Sequence, residues 1–331
     1  VVKPEEIIAG NASWYASSFY DGHDFASLLI KNREGRPIFL KANDLCDKGG
    51  VSARVQASVL NLYDSARLKT PLANGEESTW ANVDANIVKG LNAAKAADKQ
   101  VVILSSSIIS PSTKAVIDAF ATKYNAKHVT YDALSASAML DANKESFGVR
   151  TLPTYHFDKA DVVVSFAADF IGDWLDAGHG KAYAVKRNLN SGTMSRHYQF
   201  ESNLSLTGAN ADYRTPVKAS EMGIALLNLY NILAKKAGDA TVNVAVSDYS
   251  TQLQKAANDL WNAKGKSLVV AGGNDKNIHI VINAINDLLS NNGTTIDFTK
   301  RSYLKQGNDA DVATLLNDMK AGKVGALIAY N

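Results

Sequence analysis

Three kinds of side chain in this 331-residue chain have the chemistry to bind or turn over a ligand: six histidines, one cysteine, and aspartates that follow apolar runs. His23, His128, His156, His179, His197 and His279 include no two that lie three to five residues apart, so a local zinc motif is absent. They read as surface or satisfied core histidines. Cys46 alone excludes an internal disulfide, a cysteine-ligated iron-sulfur cluster and a zinc site of three or four thiolates within these residues. Neither a G-x-S-x-G elbow nor a Walker loop occurs. AGGNDKN, from Ala271, stands between an apolar run and a helical pattern as a phosphate loop would. It lacks the G-x-G-x-x-G spacing and the terminal Lys-Ser/Thr, and reads as a tight turn.

Ligands of open α/β sheets bind beyond the carboxyl ends of the strands. That rule selects SSSIISPST after Leu104, DALSAS after Tyr131, ADFIGDWLDAG after Ala167 and GGNDKN after Ala271. Ser106, Asp132, Ser135, Asp169, Gly272 and Asn274 are the crevice candidates within them. With Asp173, Asp176 and Asp275, these loops carry five aspartates against one base, Lys276. A pyrophosphate there meets like charge, each contact at about 4 Å costing about 1 kcal/mol in water and about 4 at an effective dielectric near 20. The crevice is therefore unsuited to a dinucleotide unless another part of the chain supplies cations. Solvated helix N-caps account for several of the aspartates without any ligand.

The elements that must hold these loops follow from hydrophobic patterning. Residues 1–75 read as a small β-hairpin plus helix: Leu28 to Lys31 and Ile38 to Lys41 flank Glu34-Gly35, and after the Gly49-Gly50 break Val51, Val55, Val59 and Leu62 share one helical face. Pro71 and Asn74-Gly75 mark a turn, and Ser78 or Thr79 caps a helix through Val83, Ile87 and Leu91. From Gln100 the pattern changes to short apolar runs alternating with amphipathic helices, the signature of parallel sheets covered on both faces. The strands are VVILSS, HVTYD, DVVVSFAA, HYQF, SLVVAGG and VGALIAY. The helices run from Pro111 to Tyr124, over SASAMLDANKESFG, and over about 180–189, 220–237, 250–263, 275–290 and 310–321. The fold class is α/β, with residues 76–331 forming its main region.

Composition excludes other classes. Thirty-five Lys+Arg against 33 Asp+Glu give a net charge of +2, and 46% of residues are hydrophobic, so neither a disordered tail nor a nucleic-acid footprint appears. The longest nearly apolar run, Val101 to about Ser110, falls short of the roughly 20 residues a membrane helix needs. The opening VVKPEEIIAG lacks the pattern of a signal peptide. An apolar strand directly before Asn331, with no crossover helix behind it, suggests a region truncated at its C-terminus, and VGALIAY is expected to be buried.

Longer motifs carry a resemblance. LLIKNREGRPIFLKAND, KGGVSARVQASVLNLYDSARLKTPL and STWANVDANIV resemble, in order and spacing, the opening of catalytic subunits of the molybdopterin oxidoreductase superfamily. In that family a C-x2-C-x3-C set precedes the hairpin and a fourth cysteine precedes the residue matching Arg54. The matching positions here are Phe19, Gly22, Ala26 and Ser52, none a thiolate, so the resemblance implies a lost N-terminal cluster. Phe19 and Phe25 are expected to be buried in its place. SWYASSFYDGHDFASLLIKNREGRPIF, SSIISPSTKAVIDAF, HVTYDALSASAMLDAN, YHFDKADVVVSFAADFIGDWL and MSRHYQFESNLSLTGANAD look like the B-subunit family of bacterial alternative complex III, a quinol-oxidising respiratory complex.

What that resemblance implies is a molybdoenzyme-like scaffold without a redox centre of its own. It implies no cofactor in this segment, iron-sulfur clusters in a later C-terminal part, and other subunits of a membrane-bound respiratory complex as partners. It also implies a peripheral position on the periplasmic side of the bacterial inner membrane, with no membrane span and no nucleic acid. The superfamily's metal ligand falls near Ser135, and serine ligates molybdenum in some members. An active molybdopterin oxidoreductase using Ser135 is therefore the alternative; helix N-cap is the bland role for this serine. A third reading is a module that binds another small ligand in the vacant crevice.

Overall fold

The computed structural model describes residues 8–46 and 50–330. Most of the opening segment, Gly49 of the Gly49-Gly50 break and Asn331 lie outside the described residues. The chain divides into two compact units, one comprising Val1–Ser135 with Leu304–Asn331, the other Ala136–Tyr303. The hairpin region of residues 1–75 falls within the first of these.

In the first unit, strands Ser13–Tyr20, Phe25–Arg33 and Arg36–Ala42 pair antiparallel in chain order. Glu34 (φ 52°) and Gly35 (φ 81°) form the two-residue turn, both in the left-handed region that matches the strand twist. Alternation puts Ala26, Leu28 and Leu40 on one face, where they bury with Val55 as a small core. The helix that supplies Val55 is shorter than its spacing suggests. It spans Ala53–Ala57 and tightens to a 3-10 turn over Ser58–Leu62, because the Ser58 hydroxyl donates to the Val55 carbonyl at 2.7 Å and competes with the helical ladder. Leu62 is consequently left half-exposed. Thr79, not Ser78, caps the next helix, Trp80–Ala96.

Three parallel strands follow in the same unit, in the spatial order Val324–Tyr330, Gln100–Ser105, Lys127–Thr130. Helix Pro111–Tyr124 connects the second of these to the third, and helix Asp309–Lys320 leads into Val324–Tyr330. VGALIAY forms a strand as expected, but none of its residues is fully buried. Among the described residues it pairs with Gln100–Ser105 alone, while Ala326 and Ile328 pack beside Leu91 and Ala94, leaving Leu327 and Tyr330 exposed. Gly325 permits the close approach: a Cβ there would lie 2.8 Å from Ala94 Cβ.

The second unit is built on four parallel strands in the order Tyr213–Pro216, Arg196–Glu201, Val162–Phe166, Ser267–Ala271. One face buries Val164, Phe166, Phe200 and Val269 against Leu226, Leu229, Leu253 and Ile285 of helices Met222–Ala237, Ser250–Asn262 and Lys276–Leu288. Val163, Leu268 and Val270 on the other face pack on Phe157, Phe170 and Tyr183. An antiparallel pair, Leu152–Tyr155 with Ile296–Ser302, was not visible in the pattern. The first strand is four residues with Pro153 inside it, and the second, IDFTKRS, is mostly polar. Helix Gly178–Val185 also stops a turn early. The architecture is thus α/β, with parallel sheets flanked by helices and a small N-terminal hairpin region.

Candidate functional site

The four positions matched to cluster cysteines lie close together in the first unit. Phe19 and Ala26 are directly paired across adjacent strands, and Gly22 (φ 86°) sits in the turn between them. Ser52 is tied to the same turn, its hydroxyl donating to Asp24 Oδ2 at 2.8 Å while accepting from Val55 N as a helix N-cap. Asp21 accepts from the backbone of His23 and Asp24 and from Arg54 Nε at 2.7 Å. Burial opposes ionisation of Asp21, but these donors outweigh it and hold its carboxyl below the usual range. Side-chain hydrogen bonds and a small apolar core therefore fill this corner, and none of the four side chains offers a thiolate. Phe19 packs against that core but is only half-buried; Phe25 is half-buried as well. The burial expected of both rings is corrected to partial burial: Phe19 only flanks the small core, and polar contacts of Asp21, Asp24 and Ser52 tie the turn beside it.

At the strand ends of the first unit the organising group is Asp132, 5% exposed. Its carboxylate accepts from Ser107 N (3.0 Å), Ser107 Oγ (2.8 Å) and Gly307 N (2.6 Å). Gly307 must be glycine-sized at this point, since a Cβ would stand 2.8 Å from Asp132 Oδ2. The Tyr20 hydroxyl donates to the Ser107 carbonyl. Burial and then the nearby Asp132 charge push the Tyr20 phenol up to about 12. Ser106 Oγ is buried with no hydrogen-bond partner among the described residues. Ser135 does not cap the helix that follows; that helix, Ser137–Phe147, has Ala136 at its N-cap position with no side-chain bond there. The Ser135 hydroxyl instead donates to the Asp309 carboxylate at 2.8 and 2.9 Å. An adjacent carboxylate opposes loss of the serine proton, the step a serinate metal ligand requires.

In the second unit Asp169 accepts from Thr207 N (3.0 Å) and Thr207 Oγ1 (2.7 Å), and that hydroxyl accepts from Ile171 N. Asn274 Oδ1 accepts from Ala138 N at 2.9 Å, so a residue distant in sequence caps the Ser137–Phe147 helix in place of a local one. Gly272 donates its N–H to Phe166 O, and a Cβ on it would lie 2.2 Å from the Ala167 carbonyl oxygen. Its role is close strand packing. Lys276, the one base in these loops, pairs with Glu145 at 2.8 Å.

The histidines find local partners. His128 Nε2 lies 2.8 Å from Ser105 Oγ, His279 Nε2 3.0 Å from the Gly273 carbonyl, and His23 Nδ1 3.4 Å from Lys305 Nζ. Burial lowers the pKa of all three, with cations adding to the effect at His23 and His128. Cys46 is exposed. Among the described residues no three His, Cys, Asp or Glu side chains converge to hold a metal ion. Sequence reasoning missed a buried polar row on strand Arg196–Glu201. Tyr183 OH lies 3.1 Å from His197 Nδ1, His197 Nε2 3.2 Å from Gln199 Oε1, and Gln199 Nε2 donates to Glu201. Glu201 also accepts from Ser205 Oγ and Arg214 Nε, each at 2.6 Å. Polar residues at every second position of HYQFE were the available signal.

An iron-sulfur cluster needs thiolates that the Phe19, Gly22, Ala26 and Ser52 positions lack. Within each unit, N–H and hydroxyl donors beyond the strand ends, at Ser107, Gly307, Thr207 and Ala138, already serve Asp132, Asp169 and Asn274. The donor sets therefore fit neither an N-terminal cluster nor a pterin dinucleotide.

No family model matches the chain. Over 211 residues, 61% of its length, it is 24% identical to the menaquinone reductase, molybdopterin-binding-like subunit of Nitratidesulfovibrio vulgaris (strain Hildenborough). Among solved structures it is similar to acetylene hydratase from Pelobacter acetylenicus, with a TM-score of 0.56 and 11% identity, over 80% of this chain. That likeness supports the α/β fold and shows nothing further of this chain. A looser likeness, TM-score 0.43 at 15% identity over 65% of this chain and 56% of the other, is to the formyltransferase/hydrolase complex (FhcABCD) from Methylorubrum extorquens. The chain spans 30% of the curated relative's length and 41% of acetylene hydratase.

Proposed function

We propose that this chain is a non-catalytic, molybdoenzyme-like scaffold within a quinol-oxidising respiratory complex, and specifically the molybdoenzyme-like region of a B subunit of alternative complex III. In this reading it sits peripherally on the periplasmic side of the bacterial inner membrane, among the other subunits of the complex. Electrons travel through iron-sulfur clusters carried by a later region of the same subunit. Support comes from a relative whose name joins a molybdopterin-binding-like subunit to menaquinone reduction, and from the length of the motifs that resemble the B-subunit family. No helix is long and apolar enough to cross a membrane among the described residues.

The observation that carries the non-catalytic part is the use of the anion-binding donors by the protein's own carboxylates, above all Asp132 on Ser107 and Gly307. A phosphate brought to those N–H groups must displace a buried carboxylate, which then loses three hydrogen bonds. The test is Ser135→Ala in the intact complex. Quinol oxidation should stay within about twofold of wild type, because a side chain that touches no reacting atom contributes nothing to the barrier. A fall of about a hundredfold would instead identify Ser135 as a metal ligand and the chain as an active molybdopterin oxidoreductase.

A further inference from the structure

The N-terminal hairpin carries a surface that neither its own core nor the electron-transfer reading uses. Pairing sets Trp14 opposite Lys31 and Lys31 opposite Phe39, only a few residues from the Glu34-Gly35 turn. Trp14, Tyr15, Ile38 and Phe39 are 42%, 46%, 47% and 45% exposed, an apolar concentration that soluble surfaces seldom carry without purpose. Trp14 and Phe39 meet edge to face with centroids 6.4 Å apart, and Lys41 Nζ and Lys31 Nζ stand 4.5 and 5.9 Å from the Trp14 ring. Arg33 and Arg36 flank the turn and are exposed, and among the described residues none of these four cations forms an ion pair. Glu34 is the single carboxylate at the tip.

We propose that this tip docks the protein onto an anionic phospholipid surface. The chemistry of the tip selects a lipid surface over a protein partner. Trp14 and Phe39 share the open face of the hairpin, while Tyr15 is exposed at the border of the face whose Ile30 and Leu40 pack on the small core. Indole and phenol rings partition to the headgroup region of a bilayer, and lysine stems extend along them so that the ammonium groups reach the phosphates. The cation excess at the tip then supplies attraction to anionic headgroups that zwitterionic ones lack. The proposal adds a direct lipid contact to the peripheral position proposed above, and it is independent of whether the chain holds a cofactor.

The test is co-sedimentation of the chain with vesicles of phosphatidylcholine alone and with about one third phosphatidylglycerol. Binding is expected only to the anionic vesicles, with loss at high salt and quenching of Trp14 by brominated lipid that disappears in Trp14→Phe. The double variant Arg33→Glu/Arg36→Glu should bind at least about twentyfold more weakly, since each surface cation contributes about fivefold. Both positions are exposed, and unchanged circular dichroism will show that the variant folds. Lys89→Glu/Lys95→Glu, a matched reversal on helix Trp80–Ala96, should bind as wild type. Equal loss in that control would overturn the proposal by reducing it to net charge. It also fails if neither vesicle binds, or if sedimentation equilibrium shows a dimer that Trp14→Ala dissociates.

Discussion

Each unit of this protein buries a carboxylate at the end of a parallel sheet, and the two are satisfied in different ways. Glu201, in the second unit, has a cation: Arg214 Nε at 2.6 Å, with Ser205 and Gln199 completing its shell. Asp132, in the first, accepts from neutral donors among the described residues, two on Ser107 and one on Gly307. The Glu201 cluster lies beside the large core of its sheet, whereas Asp132 binds loops together where the apolar clusters are small. A carboxylate held by neutral N–H groups occupies them as a bound anion would. The first unit has in this sense internalised its anion, and the second has built an ion pair.

Removing the second unit's carboxylate should have the largest effect. Glu201→Ala leaves Arg214 and Gln199 without their acceptor and is expected to cost about 4 kcal/mol in urea unfolding. Burial raises the Glu201 pKa, but Ser205 and Arg214 outweigh it and hold the carboxyl below its usual range. Its contribution is therefore fully present above the unfolded-state pKa near about 4.3 and is lost as pH falls through the lower folded value. The gap between wild type and Glu201→Gln should narrow over that acid window, and a constant gap would break the ion-pair half of the comparison.

The same polar row carries a second pH term. Burial lowers the pKa of His197 to about 4, against an ordinary value near 6.5. The unfolded chain takes up this proton first as pH falls, so stability should decline between about pH 6.5 and 4, by about 3 kcal/mol in all. His197→Gln should lack that slope whatever its stability at neutral pH, and denaturation at several pH values reads it directly.

Asp132→Asn should cost less, about 2 kcal/mol, because one carbonyl oxygen still accepts while the amide faces donors. Its mark should be local: faster amide exchange at Ser107 and Gly307 with the second unit unchanged. An effect spread over both units would contradict the assignment of Asp132 to the first alone. Ser52→Ala, which removes a helix cap and the bond to Asp24, should cost about 1 kcal/mol and thereby measure how little this corner depends on any single tie.

The alternation of apolar runs and amphipathic helices made the parallel sheets legible, and Glu34-Gly35 announced its hairpin. What the sequence concealed was long-range. Asn274 caps the Ser137–Phe147 helix, and Gly307 reaches Asp132 from 175 residues away; no local spacing encodes either bond. The edge position of VGALIAY was hidden for the same reason, since an apolar run does not reveal how many neighbours its strand will have. Asp132, Asp169, Gly272 and Asn274 stand just beyond strand ends. Their types alone could not distinguish a group that faces a ligand from one that ties loops together, and the distances make that distinction within each unit.

The central claim, that the protein's own carboxylates stand where a cofactor's phosphates would, is tested most directly by elemental analysis of the full-length subunit purified from its native membrane. The account predicts iron without stoichiometric molybdenum or tungsten. Molybdenum or tungsten at one atom per chain would contradict it.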